Sequence, residues 1–167
     1  MNTIDDLSFL AENTSSLRDL GLTLTILIQP ECVVAKCFTN KNIFAYRDSN
    51  FDNQEWLPKT LLASSATKVT GYELTDTTTE AEMAKIGRKF TNLLQIEDLI
   101  LRTEKGENTG LITNGCANIF FLQVVASVFM VLAYRNDDRW LVSLHRFNAR
   151  LEWDAESRFF SPSNLSS

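Results

Sequence analysis

The sequence predicts an α+β fold, a single domain in which a mainly antiparallel sheet carries one longer helix. Three observations lead to it. Apolar runs of strand length, alternating or continuous, recur along most of the 167 residues. One stretch, at about residues 79–95, combines a strong helix start with apolar side chains at helical spacing. This helical stretch lies between groups of strands and does not alternate with them, which favours α+β over α/β.

The composition is that of one ordinary globular domain. Hydrophobic residues make up 44% and charged residues 22% of the chain, so a sizeable core can form. We expect a single domain over residues 1–160, followed by a flexible polar tail over residues 161–167. The first six residues contain two acids and no base and lack the pattern of a signal peptide, so the expected location is the cytoplasm.

Short elements are predicted in the N-terminal third of the chain. Thr3 is a good N-cap for a short helix over residues 3–13, and a second helical turn over residues 15–20 would stop at Gly21. Alternating and β-branched patterns bounded by turn residues then predict three short strands, at residues 22–28, 32–38 and 43–46.

The clearest helix start in the sequence lies at Thr79. Thr79 and Glu82 have the spacing of a capping box, and acidic residues fill the first turn, where the helix dipole favours them. Apolar side chains then recur at helical spacing, at Met83, Ile86, Phe90 and Leu93. We therefore expect one helix over about residues 79–95, with this stripe packed on the sheet.

Residues 117–147 predict a buried strand, a tight turn and a partner strand. An apolar run ends at Arg135, residues 136–139 form a turn signal, and a β-branched and aromatic run begins at Trp140. If Arg135 pairs with Trp140, one face of this hairpin carries six apolar side chains: Phe129, Val131, Ala133, Trp140, Val142 and Leu144. The first strand is apolar on both faces, so we expect it to be central in the sheet.

The apolar run over residues 117–134 has two other interpretations. It approaches the roughly 20 residues that a transmembrane helix needs. A buried helix in a soluble protein can have the same composition. Polar residues within the run (Asn118, Gln123 and Ser127) and the matching strand that follows favour the hairpin.

Charge is unevenly distributed along the chain. The net charge is −5, and the residues up to Glu82 hold 12 acids and 6 bases, whereas those after it hold 9 acids and 10 bases. This distribution lacks the basic patch of a nucleic-acid-binding protein, so no nucleic-acid partner is expected. After Lys105 every lysine or arginine position is an arginine, and arginine with tryptophan is enriched in protein interfaces. The expected protein-binding surface has five members: Arg139, His145, Arg146, Arg150 and Trp153.

Three cysteines, Cys32, Cys37 and Cys116, cannot all pair within the chain. Their odd number and the lack of a secretion signal predict reduced thiols that are buried or half-buried. A zinc site would need all three thiols together with His145, the one histidine in the sequence. Structural zinc sites usually have two close pairs of ligands, so neither a metal nor another cofactor is expected.

One segment points to a different chemistry. Residues 110–118 resemble the cysteine box of papain-like deubiquitinating proteases, in which Asn, Gly and Cys open a central helix. The resemblance implies a cysteine hydrolase with Cys116 as nucleophile, His145 as base and Asp154 as the acid that follows them. It requires residues 117–134 to form a helix in place of the hairpin.

These observations give three hypotheses of function. The first is a small acidic cytoplasmic module that binds another protein without catalysis, as inhibitors, immunity proteins, adaptors and chaperones do. Its partner would be a different protein or a second copy of the chain, with no membrane involved. The second is the cysteine hydrolase built on Cys116 and His145. The third is a domain that binds a small ligand between the longer helix and the sheet.

Overall fold

The computed structural model describes residues 16–164 and shows a mostly β fold. Strands account for 43% of the described residues and helices for 18%. The predicted α+β class is therefore wrong, because most of the apolar patterns form strands of one large sheet. The predicted N-terminal helix over residues 3–13 lies outside the described residues.

Eleven strands and two α-helices occur among residues 16–164. The strands are β1 (Leu17–Ile26), β2 (Cys32–Val33), β3 (Phe44–Arg47), β4 (Thr60–Leu61), β5 (Thr67–Leu74), β6 (Thr78–Thr79), β7 (Asn118–Val124), β8 (Ser127–Asn136), β9 (Arg139–Arg146), β10 (Glu152–Trp153) and β11 (Arg158–Asn164). The helices are α1 (Glu80–Ile86) and α2 (Leu93–Glu104), and two 3₁₀ turns cover Val34–Lys36 and Ser49–Asp52.

Seven strands of the described chain form one sheet in the order β1-β5-β11-β7-β8-β9-β3. Neighbours are antiparallel except at β11–β7 and β9–β3, where they are parallel. The sheet is therefore mixed, which the prediction of a mainly antiparallel sheet missed. The remaining four strands form two small ladders, β10–β6 and β2–β4.

Both ends of the described chain are strands where other structures were predicted. The helical turn expected over residues 15–20 is wrong, because residues 17–19 pair with β5. Gly21, with a φ of 75°, lies in the irregular part of β1 and does not end a helix. At the other end, residues 161–164 pair with β5 and are strand where the sequence predicted a flexible tail. Residues 165–167 lie outside the described part.

The predicted hairpin is confirmed as β8 and β9. Arg135 pairs with Trp140, as the predicted register requires, and Asp137 occupies the tight turn with a φ of 59°. The helical interpretations of residues 117–134 are wrong, because β7 and β8 pair with each other over this stretch. No helix within residues 16–164 has the length and apolar content needed to cross a membrane.

The two helices cover opposite faces of the sheet. One face, here called the α2 face, buries Val131 and Trp140 of the hairpin together with Ile96 of α2. The other, the α1 face, buries Met130 together with Met83 of α1. Strands β7 and β8 are therefore covered on both sides, which explains why their sequences are apolar throughout.

The single helix predicted over residues 79–95 is wrong, because it is two helices on opposite faces. The capping box of Thr79 and Glu82 starts α1 as predicted, but α1 ends before Gly87, which is extended. A second capping box, formed by Asn92 and Gln95, starts α2. The apolar stripe is consequently divided between the α1 face and the α2 face.

Candidate functional site

The connection between α1 and α2 passes through a gap in the sheet. β11 runs parallel to β7 only as far as the pairing of Phe160 with Phe120. Beyond that point Phe90 takes the place beside β7: its N–H donates to the carbonyl of Phe121 at 2.7 Å, and its carbonyl accepts from the N–H of Gln123 at 2.8 Å. We call this place the fork, formed by the ends of β7 and β11 and by the crossover, residues 87–91.

Two contacts at the start of the crossover hold the fork open. A Cβ atom added at Gly87 would lie 2.0 Å from the ring of Phe159, so only glycine, which has no Cβ, fits at this position. The N–H of Arg88 donates to Oγ of Ser161 at 2.8 Å, which ties the crossover to β11. The backbone of the crossover therefore lies between the ends of β7 and β11 and keeps them apart. The side chain of Phe90 fills the space between them on the α2 face.

A cavity of about 550 Å³ opens at the fork. Its wall is built from the loop before β5, the crossover, the first turn of α2 and the ends of β7 and β11. Its polar lining includes Ser64, Thr67, Arg88, Lys89, Gln95 and Gln123. We call this cavity the fork pocket.

The charged side chains of the fork pocket are all cationic. Arg88 and Lys89 line it, and no acidic residue does. Among residues 16–164 neither side chain has an ion pair or a hydrogen bond, whereas Arg18, Arg47, Arg102, Arg135 and Arg158 are paired with acids. In a chain of net charge −5, the fork pocket is thus a local site of positive charge.

Two buried hydroxyl groups in the wall of the fork pocket lack partners. Oγ of Ser64 and Oγ1 of Thr67 have no hydrogen-bond partner within residues 16–164, although their residues are only 7% and 9% exposed. An unsatisfied buried polar group costs about 1–3 kcal/mol, so such groups call for a partner. Both hydroxyls can donate and accept a hydrogen bond.

The two amide side chains of the pocket are held in place. Oε1 of Gln95 accepts from the N–H groups of Thr91 and Asn92, both at 3.1 Å. Nε2 of Gln123 donates to the carbonyl of Val125 at 2.7 Å. The wall therefore offers fixed polar groups beside two free cations, an arrangement suited to a polar anion.

The five residues of the expected protein-binding surface do not lie together. Arg139 and Arg146 are at opposite ends of β9, about 24 Å apart at the rise of a strand. Arg146 lies on the α2 face with its guanidinium 5.1 Å from the ring of Trp56. His145 lies on the α1 face with its ring 6.0 Å from that of Trp153, whose Nε1 donates to buried Glu80. The fifth, Arg150, is exposed in the loop that follows.

The residues of the hydrolase alternative are also separated. Cys116 lies in the loop before β7, whereas His145 is level with Phe121, two strands across, which puts them roughly 20 Å apart. Cys116 does not start a helix, because a strand follows it. Burial lowers the pKa of His145, and its Nε2 has no partner in the described residues. Asp154 is exposed.

The thiols do not form a metal site. Cys32 and Cys37 lie together, but Cys116 precedes β7 and is free. Residues 16–164 contain no group of three or more His, Cys, Asp or Glu side chains placed to hold a metal ion.

Sequence reasoning missed the fork pocket because it joined α1 to α2. The signal that could have found it is the second capping box, Asn92 with Gln95, preceded by Gly87, Arg88 and Lys89. A new helix start shortly after a glycine predicts a break, and two adjacent cations in that break point to an exposed cationic loop.

Comparison of the chain with models of protein families, with curated proteins and with solved structures gives no match.

Proposed function

We propose that this chain is a binding domain for a small polar anion, which it holds in the fork pocket. The observation that carries the proposal is the pair of unpaired cations, Arg88 and Lys89, in a cavity whose wall contains no acid. The volume of about 550 Å³ lies within the range of about 300–1,000 Å³ found for small-molecule sites. This is the small-ligand hypothesis, with the pocket at the break between two helices instead of beneath one.

The ligand expected from this wall carries a phosphate or carboxylate group on a polar body. The planar guanidinium of Arg88 presents several N–H donors that suit either group, and the ammonium of Lys89 adds a second positive charge. The hydroxyls of Ser64 and Thr67 and the amide of Gln95 suit the hydroxyl groups of such a body. A purely apolar ligand would leave these groups unsatisfied.

Binding without chemistry fits the groups that line the fork pocket. Among residues 16–164 its wall contains hydroxyls, amides and two cations, and none of these residues offers a carboxylate, histidine or thiol as a general base or nucleophile. The proposed location is the cytoplasm, in keeping with three free thiols.

The first prediction is that anions stabilise the purified chain. Inorganic phosphate, glycerol 1-phosphate and citrate, compared at equal ionic strength, should raise the melting temperature, whereas glycerol should not. Titration calorimetry with the most effective anion should show at least a tenfold weaker affinity for Arg88→Gln, about 1.4 kcal/mol. This matches the low end of hydrogen bonds to charged groups, about 1.5–3 kcal/mol.

Lys41→Gln is the matched control for this prediction. Lys41 is exposed near Arg139, at the end of the sheet away from the fork, and its replacement changes the net charge equally. Its affinity for the anion should equal that of the unaltered chain. The proposal fails if no anion stabilises the chain more than glycerol does, or if Lys41→Gln weakens binding as much as Arg88→Gln.

A protein partner is the second candidate function, favoured by exposed apolar side chains. Leu27 and Ile28 are each 73% exposed and Leu62 is 82% exposed. The antiparallel bridge between Gln29 and Ser64 holds their segments side by side. Large apolar side chains exposed on neighbouring segments are a feature of interaction sites. The simplest such partner is a second copy of the chain, for which analytical ultracentrifugation is the test.

A further inference from the structure

Two cysteines lie in contact at the start of α2, away from the wall of the fork pocket. Cys32 is in β2, and Cys37 follows the 3₁₀ turn Val34–Lys36. Their Sγ atoms are 2.9 Å apart, and the two residues are 0% and 1% exposed. A disulfide bond is about 2.05 Å long, so the two sulfurs need to approach by only about 1 Å to become bonded.

The backbone around the pair is fixed with the thiols facing each other. Nε of Arg47 donates to the carbonyl of Cys37, and Nη2 of Arg47 donates to the carbonyl of Val34, both at 2.8 Å. On the other side Cys32 pairs with Leu61 in the β2–β4 ladder. The thiols are therefore held in contact by the surrounding chain, which reduces the entropy cost of joining them.

The two sulfurs have different surroundings. The thiol of Cys37 hydrogen-bonds to the sulfur of Cys32 and lowers its pKa, and the N–H groups of Leu93 and Leu94 at the start of α2 act in the same direction. Both this contact and burial raise the pKa of Cys37. The carboxylate of Glu97, which accepts from the N–H of Phe38 at 2.7 Å, raises the pKa of both thiols, and Arg47 lowers that of Cys37. Cys32 is thus the better nucleophile of the two.

We propose that Cys32 and Cys37 form a redox-active dithiol, which hydrogen peroxide converts into a reversible intramolecular disulfide. Hydrogen peroxide is the suitable class of oxidant because it is small and uncharged, as access to a buried pair requires. The inference is independent of the anion bound at the fork, since neither cysteine lines that pocket.

The reaction has two steps. The sulfur of Cys32 attacks one oxygen of the peroxide and breaks the O–O bond; Cys32 becomes a sulfenic acid, and the departing hydroxide takes the thiol proton to give water. The sulfur of Cys37 then attacks the sulfur of Cys32, forming the S–S bond and breaking the S–O bond. The proton of Cys37 leaves with the hydroxyl as a second water. Two thiols are oxidised to one disulfide, and one peroxide is reduced to two waters.

The test uses the unaltered full chain, so that it does not depend on any variant folding. The chain is treated with a small excess of hydrogen peroxide, unfolded in a thiol-alkylating reagent and digested for mass spectrometry. The expected product is a peptide linked between Cys32 and Cys37 that dithiothreitol separates, with Cys116 still open to alkylation. The inference is overturned if Cys32 and Cys37 remain fully alkylated at a peroxide dose that has already oxidised Cys116.

Two cysteine variants check the order of the steps. In Cys37→Ser, Cys32 should stop at the sulfenic acid, which dimedone labels, and no linked peptide should form. Cys116→Ser removes the half-buried thiol outside the pair and should form the Cys32–Cys37 link at an unchanged rate. Dimedone labelling at Cys37 in Cys32→Ser, but none at Cys32 in Cys37→Ser, would overturn the assignment of Cys32 as the nucleophile.

Discussion

The β8–β9 hairpin and the fork belong to the same sheet but are held together in different ways. In the hairpin, eight consecutive residue pairs follow a two-residue turn. At the fork, β11 and β7 pair over three residues, and a single bridge between Phe90 and Leu122 continues the sheet. The hairpin is thus assembled from neighbours in sequence, and the fork from three distant segments of the chain: β7, β11 and the crossover.

This difference separates the part of the sheet that only stabilises the fold from the part that has room for a ligand. Continuous ladders bring side chains into contact on both faces and leave no cavity between strands. Where the crossover enters, the backbone of residues 87–91 replaces a strand, and polar side chains from four segments line the opening. We therefore expect binding at the fork and stability in the hairpin.

The largest expected effect tests whether the fork is packed as well as the hairpin. Phe90 is fully buried on the α2 face, with its ring 5.7 Å from that of Phe120. Phe90→Ala should lower the free energy of unfolding by about 3–5 kcal/mol, because it removes a buried ring and leaves a cavity. Denaturant melts measure this loss.

Phe129→Ala in β8 is the matched control. Phe129 belongs to the same buried cluster and is 2% exposed, so the same substitution there should cost a similar amount. A loss below about 1 kcal/mol for Phe90→Ala, beside a large loss for Phe129→Ala, would show that the crossover is only loosely joined to the sheet.

The hairpin could be predicted from sequence because the features that determine it lie within one short stretch of the chain. A two-residue turn and a side-chain period of two determine which residues pair, so the match of Arg135 with Trp140 needs no knowledge of the remaining chain. The fold class could not be predicted in the same way. The second half of β11 depends on its partner β5, and its own sequence, which contains Pro162, gives little strand signal.

The fork escaped prediction because its cause is a long-range contact. Met83, Ile86, Phe90 and Leu93 continue one helical stripe in sequence, yet Gly87 must be extended to pass the ring of Phe159. The hydrogen bonds of Phe90 to β7 offset those lost where the helix breaks. Only the positions of β7 and β11 decide between one helix and two.

A smaller effect tests the close passage that holds the fork open. Gly87 has a φ of −84°, so alanine there suffers no backbone strain, but its Cβ would collide with the ring of Phe159. Gly87→Ala should therefore cost about 1–3 kcal/mol by overpacking. With Phe159→Leu in addition, the loss should be smaller than the sum of the two single losses by about 0.5–3 kcal/mol. Denaturant melts of the four proteins give this coupling.

Gly106→Ala is the control for the coupling. A Cβ at Gly106 would meet no atom within 4 Å, so Gly106→Ala and Phe159→Leu should be additive. If the losses in free energy of unfolding for Gly87→Ala and Phe159→Leu were additive, Gly87 would not lie against the ring of Phe159. The crossover would then run elsewhere.

The smallest expected effect compares the turns at the two ends of β8. Val125 has a φ of 54° and is 94% exposed, and a β-branched residue in this conformation is strained. Replacing Val125 by glycine should remove about 1–2 kcal/mol of backbone strain. Ordering a glycine on folding costs about 0.5–1 kcal/mol more than ordering another residue, so Val125→Gly should stabilise the fold. Asp137 has nearly the same φ, but aspartate adopts it more readily, so Asp137→Gly should change stability little. The denaturant midpoints of the two variants measure these changes. An equal or larger gain for Asp137→Gly would show that Val125 is no more strained than Asp137. Because Gln123 of the fork pocket donates to the carbonyl of Val125, a gain at Val125 alone would place the strain in the β7–β8 turn, beside the fork.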